Sequence, residues 1–141
     1  MRLGHLLLYS LIIGFTFYAC GKDEVITEID GIGKNVENSP AVANKQNSFT
    51  LDVKANLFNS VLEYPLTFDK TSFDLALAIA NYTAGDVSIQ VSNDSKQMLY
   101  KGDFNQNTAL AQTITLEEKP TKIKLIFSGF TASLSSSLTG K

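Results

Sequence analysis

Histidine, cysteine, tryptophan and arginine are almost missing from this chain of 141 residues, which has one histidine, one cysteine and no tryptophan. The histidine is His5 and the only arginine is Arg2. A serine-protease-type triad needs a histidine, zinc sites draw mainly on histidine and cysteine, and bidentate carboxylate clamps need arginine. We therefore expect a protein that is not an enzyme and that holds no metal ion or other cofactor.

Excess positive charge is also lacking. Twelve basic residues stand against fourteen acidic ones, which gives a formal net charge of −2. Proteins that bind nucleic acid neutralise phosphates with clustered lysine and arginine. We therefore expect no nucleic-acid partner.

The N-terminus has the pattern of a secretory signal peptide. Arg2 supplies a positive charge, residues 3–19 are mostly apolar, and the small residue Ala19 ends the stretch. The stretch is shorter than the roughly 20 residues of a membrane-spanning helix, and charged residues follow it at positions 22–24. A cleaved segment fits this pattern better than a permanent anchor.

Phe17-Tyr18-Ala19-Cys20 resembles the bacterial lipobox, in which a small residue precedes a cysteine that receives a lipid before the signal is cut. Phe17 and Tyr18 depart from the usual leucine and small residue of that family. The resemblance implies that residues 1–19 are a lipoprotein signal peptide and that Cys20 is the lipid-bearing (palmitate) first residue of the mature chain. The alternative is a chance cysteine after an uncleaved apolar anchor.

Cys20-Gly21-Lys22-Asp23-Glu24 is similar to the export signal of surface lipoproteins in Bacteroidetes, which has a lysine and two acidic residues shortly after the lipidated cysteine. The resemblance implies that Lys22, Asp23 and Glu24 direct the protein to the cell surface. It also implies a lipid anchor in the outer membrane, since Gly21 replaces the aspartate that marks inner-membrane retention. In the alternative reading, these residues are only a solvated linker.

Residues 20–47 are predicted to comprise the lipidated cysteine, the export signal and a flexible tether. The segment is rich in glycine, asparagine, glutamate and lysine, and its scattered aliphatic residues keep no period of two or 3.6 for long. Such a composition is typical of a chain that cannot bury enough apolar surface to fold.

From Ser48 onward the chain alternates between apolar and polar residues, which predicts a strand with one buried face. The residues expected to face the core are Phe49, Leu51, Val53, Ala55 and Leu57. A short edge strand is predicted over residues 64–68, because Pro65 cannot donate to a ladder. Residues 73–80 predict a central strand whose alanines allow burial on both faces.

Turn residues over positions 82–86 predict a turn, and the next residues predict a hairpin of strands 87–92 and 97–101. Strands are also predicted around residues 110–116 and from Ile123, with a bulge at Gly129 where the alternation changes parity. The run Ser133–Thr139 is expected to be a frayed last strand or a partner-binding edge strand. Six to eight short strands without a helix predict that residues 48–141 form a single small antiparallel β-sandwich.

The stretch Asn81-Tyr82…Gly85-Asp86-Val87-Ser88-Ile89…Leu99-Tyr100 looks like the strand, turn, strand pattern of small immunoglobulin-like β-sandwich domains in secreted Bacteroidetes proteins. The resemblance implies the fold alone and transfers no functional residue.

Two groups of residues are candidate ligand contacts. Tyr64, Tyr82 and Tyr100 are the only tyrosines after residue 19, and an exposed pair could stack on sugar rings, although packing at the core or its rim is the alternative. Three aspartates lie in predicted turns, where they either bind Ca²⁺ between converging loops or bond their own backbone. These aspartates are Asp86, Asp94 and Asp103.

These observations lead to a first hypothesis of a non-catalytic surface lipoprotein that acts as an interaction or accessory module at the bacterial outer membrane. Its partners are then the membrane, through the N-terminal lipid, and an outer-membrane protein complex or a glycan. A glycan-binding module is the second hypothesis, and a hydrolase that uses only carboxylates is the third.

Overall fold

A computed structural model describes residues 36–141, and strands and the turns between them make up this range. The strands are β1 (Ala41–Lys45), β2 (Ser48–Pro65), β3 (Ser72–Ser92), β4 (Met98–Phe104), β5 (Thr108–Thr115) and β6 (Lys122–Gly140). All paired strands are antiparallel. The prediction of an all-β antiparallel fold is therefore confirmed.

The six strands form one sheet in the order β1-β2-β6-β3-β4, and β5 pairs with another part of β3. Strands β2, β3 and β6 are 18, 21 and 19 residues long, and each contributes to two halves of the sheet. The first half-sheet consists of β1, β5 and residues 48–55, 72–80 and 132–140, and the second consists of β4 and residues 58–65, 84–92 and 122–130.

The two half-sheets lie face to face because the three long strands fold back on themselves. Phe49 in the first half of β2 packs against Tyr64 in its second half, with ring centroids 5.5 Å apart. Twenty buried apolar side chains form one cluster, to which both half-sheets contribute. The predicted sandwich is therefore present, although one folded sheet makes both of its layers, whereas immunoglobulin domains pack two sheets together.

The long strands bend along a common fold line, which comprises residues 56–57 of β2, 81–85 of β3 and 128–131 of β6. Leu57, Gly85 and Gly129 have φ angles of 49°, 78° and 55°, and the pairing register shifts at each place. Side chains hydrogen-bond the backbone at these bends. Leu57 N donates to Thr131 Oγ1 at 2.8 Å, and Gly129 N donates to Asn59 Oδ1 at 2.8 Å. Bulges of this kind bend a strand and increase its twist.

The parity of the alternation determines which residues enter the core. Phe49, Leu51, Val53 and Ala55 are all buried, and the bulge at Gly129 moves the buried side to Phe130 and the residues that alternate with it. Both predictions are confirmed. Leu57 is an exception, because its left-handed backbone at the fold line leaves its side chain 68% exposed.

Strand β1 lies inside the segment that was predicted to be a tether. Ala41–Lys45 pairs with residues 48–52 of β2, and Asn38 N donates to Lys54 O at 2.9 Å. The domain thus begins before Ser48, which corrects the predicted boundary. Val42 is the one large apolar residue of this segment and packs against the core, so that backbone pairing more than an apolar pattern makes the segment a strand.

Four further predictions need correction. Residues 82–86 belong to β3 rather than to a turn, and residues 66–68 follow the end of β2 rather than continuing a separate edge strand. Residues 73–80 do form a central strand between β5 and β6, but Ala76, Ala78 and Ala80 are exposed. The run Ser133–Thr139 is neither frayed nor at an edge, because β6 lies between β2 and β3.

Candidate functional site

The outer face of the second half-sheet carries a group of polar side chains that strand pairing brings together. Lys124 pairs with Glu63 on one side and with Gln90 on the other, and Lys122 pairs with Ser92. Their neighbours along β6, Ile123 and Leu125, are fully buried, so alternation points both lysines away from the core. Alternation therefore places these polar side chains on the outer face, where the exposed Val61 is also found.

These side chains line an open depression of about 350 Å³, which we call the lysine pocket. Its lining residues are Glu63, Gln90, Ser92, Lys96, Met98, Lys122 and Lys124. Lys96 enters from the β3–β4 turn, where its φ of 62° and the bond from its N to Asn93 O at 3.0 Å fix the backbone. Met98 contributes an apolar side chain that is 52% exposed.

Positive charge dominates the lysine pocket. Three of the nine lysines in residues 36–141 line it, together with one of the ten acidic residues, so an acidic domain has a local excess of two positive charges. Lys122 Nζ lies 2.6 Å from Glu63 Oε1, whereas Lys96 and Lys124 form no ion pair within the described range. Two ammonium groups thus remain available to an anionic ligand.

The same cations favour the ionised form of Glu63. The hydrogen bond from Lys122 lowers the pKa of the Glu63 carboxyl, and the charges of Lys122, Lys124 and Lys96 lower it further. Glu63 therefore acts only as a hydrogen-bond acceptor at neutral pH. The pocket presents ammonium donors beside one fixed carboxylate, together with the amide of Gln90 and the hydroxyl of Ser92.

The three tyrosines predicted as ligand contacts do not lie together on one exposed surface. Tyr64 and Tyr100 occupy one register row at opposite edges of the second half-sheet, separated by Ile123 and Val91, and burial raises the pKa of both phenols. Tyr82 lies at the fold line, where its hydroxyl donates to Gly85 O at 2.8 Å. All three rings are half-buried, as the packing alternative expects, and a ligand contact by any of them stays a prediction.

The aspartates considered for calcium are spread over separate places. Asp86 lies in β3 near the fold line, Asp94 lies in the β3–β4 turn, and Asp103 lies in β4 with Lys101 Nζ 2.8 Å from its Oδ2. The hydrogen bond from Lys101 lowers the pKa of Asp103. Within residues 36–141, no three histidine, cysteine, aspartate or glutamate side chains gather where they could hold a metal ion.

The outer face of the first half-sheet differs in chemistry, because alanine, serine and a few larger aliphatic residues line most of two shallow depressions there, of about 320 and 490 Å³. Its charged lining residues are Asp52 and Lys54. It offers flat contact area with few directional groups, so the second half-sheet carries the more specific chemistry.

The predicted lipidation and export residues, Cys20, Lys22, Asp23 and Glu24, lie outside the described residues. Within the described range, no helix has the length and apolarity needed to cross a bilayer.

The lysine pocket itself was not predicted. The alternation in Lys122-Ile123-Lys124-Leu125 was a usable signal, because it places both lysines on the polar face of a predicted strand. No comparable signal links these residues to Lys96 or Glu63, since the pairing of distant strands brings them together.

Comparisons with known proteins provide no family assignment. No protein-family model matches the chain, and no curated protein matches its sequence. Among solved structures, CsCBM6-3 from Clostridium stercorarium in complex with cellobiose is 13% identical, with a TM-score of 0.31 over 72% of this chain and 81% of that one. A second family 6 carbohydrate-binding module is 15% identical, with a TM-score of 0.30 over 76% and 88%. At these scores we transfer neither fold nor function from them.

Proposed function

We propose that the protein is a non-catalytic binding module that a lipid on Cys20 holds at the outer membrane, with the lysine pocket as its contact surface. The observation that supports binding is the charge of that pocket, which concentrates cations on a domain that is otherwise acidic. Charge complementarity speeds association and selects partners. The expected partner is therefore an acidic surface of an outer-membrane protein complex or an acidic glycan.

The position of the pocket on regular strands supports a binding role. Lys122 and Lys124 lie in β6, which is paired on both sides by β2 and β3, so the backbone under both lysines is held in place. A preorganised surface loses less conformational freedom when a ligand binds. The lysine side chains still adjust, since only Lys122 forms an ion pair.

The anchoring part of the proposal rests on the resemblances at residues 17–24. Several acyl chains on one cysteine give stable membrane attachment, at about 0.8 kcal/mol for each buried CH₂ group. Attachment alone does not select a side of the membrane. We therefore propose that Lys22, Asp23 and Glu24 direct the protein to the cell surface.

Anchoring and export make separable predictions in living cells. The Cys20→Ala variant should lose metabolic labelling by alkyne palmitate and be released or mislocalised, because the only thiol of the chain is gone. The triple variant Lys22→Ala, Asp23→Ala, Glu24→Ala should keep the label but become protected from protease added to intact cells. Labelling of Cys20→Ala, or equal protease access in the triple variant and the wild type, would contradict the respective assignment.

Binding through the lysine pocket is tested by a pull-down from detergent-solubilised outer membranes, with the lipidated protein as bait. The double variant Lys96→Glu, Lys124→Glu should capture at least about tenfold less partner than wild type, since each reversal adds repulsion of an acidic ligand. The control Lys45→Glu, Lys70→Glu makes the same charge change at two exposed lysines outside the pocket. Equal capture by wild type, pocket variant and control would reject the pocket as the contact surface.

The glycan-binding alternative is tested with the same variants on a glycan array. Binding there that the pocket variant loses and the control retains favours a glycan as the partner. Glu63, Gln90 and Ser92 supply the carboxylate, amide and hydroxyl groups that hydrogen-bond sugar hydroxyls.

A further inference from the structure

We propose that the lysine pocket binds a uronic-acid unit of an acidic polysaccharide, that is, a sugar ring that carries both a carboxylate and free hydroxyl groups. The proposal rests on the proposed function and names the chemical class of ligand for the same surface. It follows from the mixture of groups in the pocket, which fits neither a simple anion nor a neutral sugar.

The carboxylate of the sugar would contact Lys96 and Lys124. These two ammonium groups have no ion-pair partner among the described residues, whereas Lys122 is already bonded to Glu63 at 2.6 Å. Lysine binds anions as a point charge with three donors, and it therefore accepts a carboxylate without a demand for one geometry. A neutral sugar could accept hydrogen bonds from these ammonium groups, but it would leave both charges without a counter-charge.

Glu63 argues against a ligand that is only an anion. Its carboxylate lines the same depression, and the neighbouring Lys122, Lys124 and Lys96 favour its ionised form by lowering its pKa. Free sulfate would meet repulsion from this group because it has no donor to offer, and free phosphate offers at most two P–OH donors against the same repulsion. A sugar hydroxyl does have a donor, and a carboxylate accepts it in a strong charge-assisted hydrogen bond.

The remaining lining residues suit the rest of a sugar ring. Gln90 supplies both a donor and an acceptor, Ser92 supplies a hydroxyl, and the exposed Met98 supplies a flexible apolar contact for ring C–H groups. A volume of about 350 Å³ is at the lower end of the roughly 300–1,000 Å³ typical of small-ligand sites. The depression is therefore suited to a small unit of a polymer that continues across the open face.

The test is isothermal titration calorimetry of the full mature lipidated protein in detergent micelles against three probes. These are trigalacturonate, its fully methyl-esterified form, and inorganic phosphate. Trigalacturonate should bind at least about tenfold more tightly than the ester, because esterification removes the charge and keeps the hydroxyls. It should also bind more tightly than phosphate, and its affinity should fall as salt is added.

Variants separate the two halves of the recognition. Lys124→Gln should weaken trigalacturonate about tenfold, whereas Glu63→Gln should weaken trigalacturonate and strengthen phosphate, because the lost carboxylate binds hydroxyls and repels anions. Lys70→Gln is the control for charge loss outside the pocket. Glu63 forms an exposed ion pair, so its replacement should leave the fold intact, and the unchanged thermal transition verifies this.

The outcomes distinguish this inference from the proposed function. If phosphate binds as tightly as trigalacturonate, or if Glu63→Gln weakens both alike, the pocket is a simple anion site and the inference fails. If none of the probes binds but the pull-down still depends on Lys96 and Lys124, the ligand class is wrong and the binding role remains. If none of the probes binds and the pull-down does not depend on Lys96 and Lys124, both proposals are rejected.

Discussion

Replacement of Gly85 by alanine is expected to lower the free energy of unfolding by at least about 3 kcal/mol, a large part of the roughly 5–15 kcal/mol typical of a domain. A Cβ atom at this position would overlap the backbone carbonyls of Gly129 and Ser128 on the neighbouring strand β6. The φ of 78° adds the strain that any L-residue meets in the left-handed region. Neither β3 nor β6 can shift to relieve this overlap, because both strands bend at the fold line here.

The measurement is thermal unfolding of the mature protein, where a loss of this size lowers the Tm by about 12 °C or more. Gly129→Ala is the matched control, because Gly129 also has a positive φ but a Cβ there meets no atom within 4 Å. Gly129→Ala should lower the free energy of unfolding by only about 1–2 kcal/mol, the strain of an L-residue in the left-handed region. If both variants lowered the free energy of unfolding equally, the close approach of β3 and β6 at Gly85 would not be what makes alanine unfavourable there.

Phe130→Ala is expected to cost about 3–5 kcal/mol, because it removes a large side chain that has no solvent exposure. The ring packs against Phe127 at a centroid distance of 5.7 Å and against Tyr82 at 6.3 Å. Both contacts lie beside the fold line, so the cavity would open where the two layers join. Urea unfolding followed by circular dichroism measures the loss as a lower midpoint at an unchanged slope.

Leu57→Ala is the control for this substitution, because Leu57 lies in the same region but is 68% exposed. Its backbone donates to Thr131 and its side chain adds little packing, so the change should stay within about 0.5 kcal/mol. A loss at Leu57 as large as the one at Phe130 would contradict the assignment of exposed and buried faces at the fold line.

Alternation along the chain was sufficient to predict most of the core. Phe49 to Ala55, Phe73 to Ile79 and Ile123 to Phe127 all place the expected side chains inside. The parity change at Gly129 was also predictable, because a bulge must restore the buried side. These predictions succeeded since the inside-outside period of a strand is local and needs no knowledge of its partner.

The same reasoning failed where backbone pairing overrides composition. Residues 82–86 have turn chemistry, with Gly85 followed by Asp86, but β3 passes through them as a bend. Apart from Val42, Ala41–Lys45 has little β-propensity, but pairing with the free edge of β2 makes it a strand. Polar and serine-rich residues near the C-terminus resemble a frayed end, whereas the neighbouring strands β2 and β3 place them at the centre of the sheet.

The sequence by itself determined the all-β class, the buried face of most strands and the polar face on which Lys122 and Lys124 lie. Only the tertiary structure decided that three long strands fold back across one line, and that β2, β3, β6 and the β3–β4 turn meet around a single pocket. The physical reason is the separation along the chain of the residues that interact. Burial of alternate residues follows from neighbours along the chain, whereas the register of distant strands depends on closing loops and packing two layers at once.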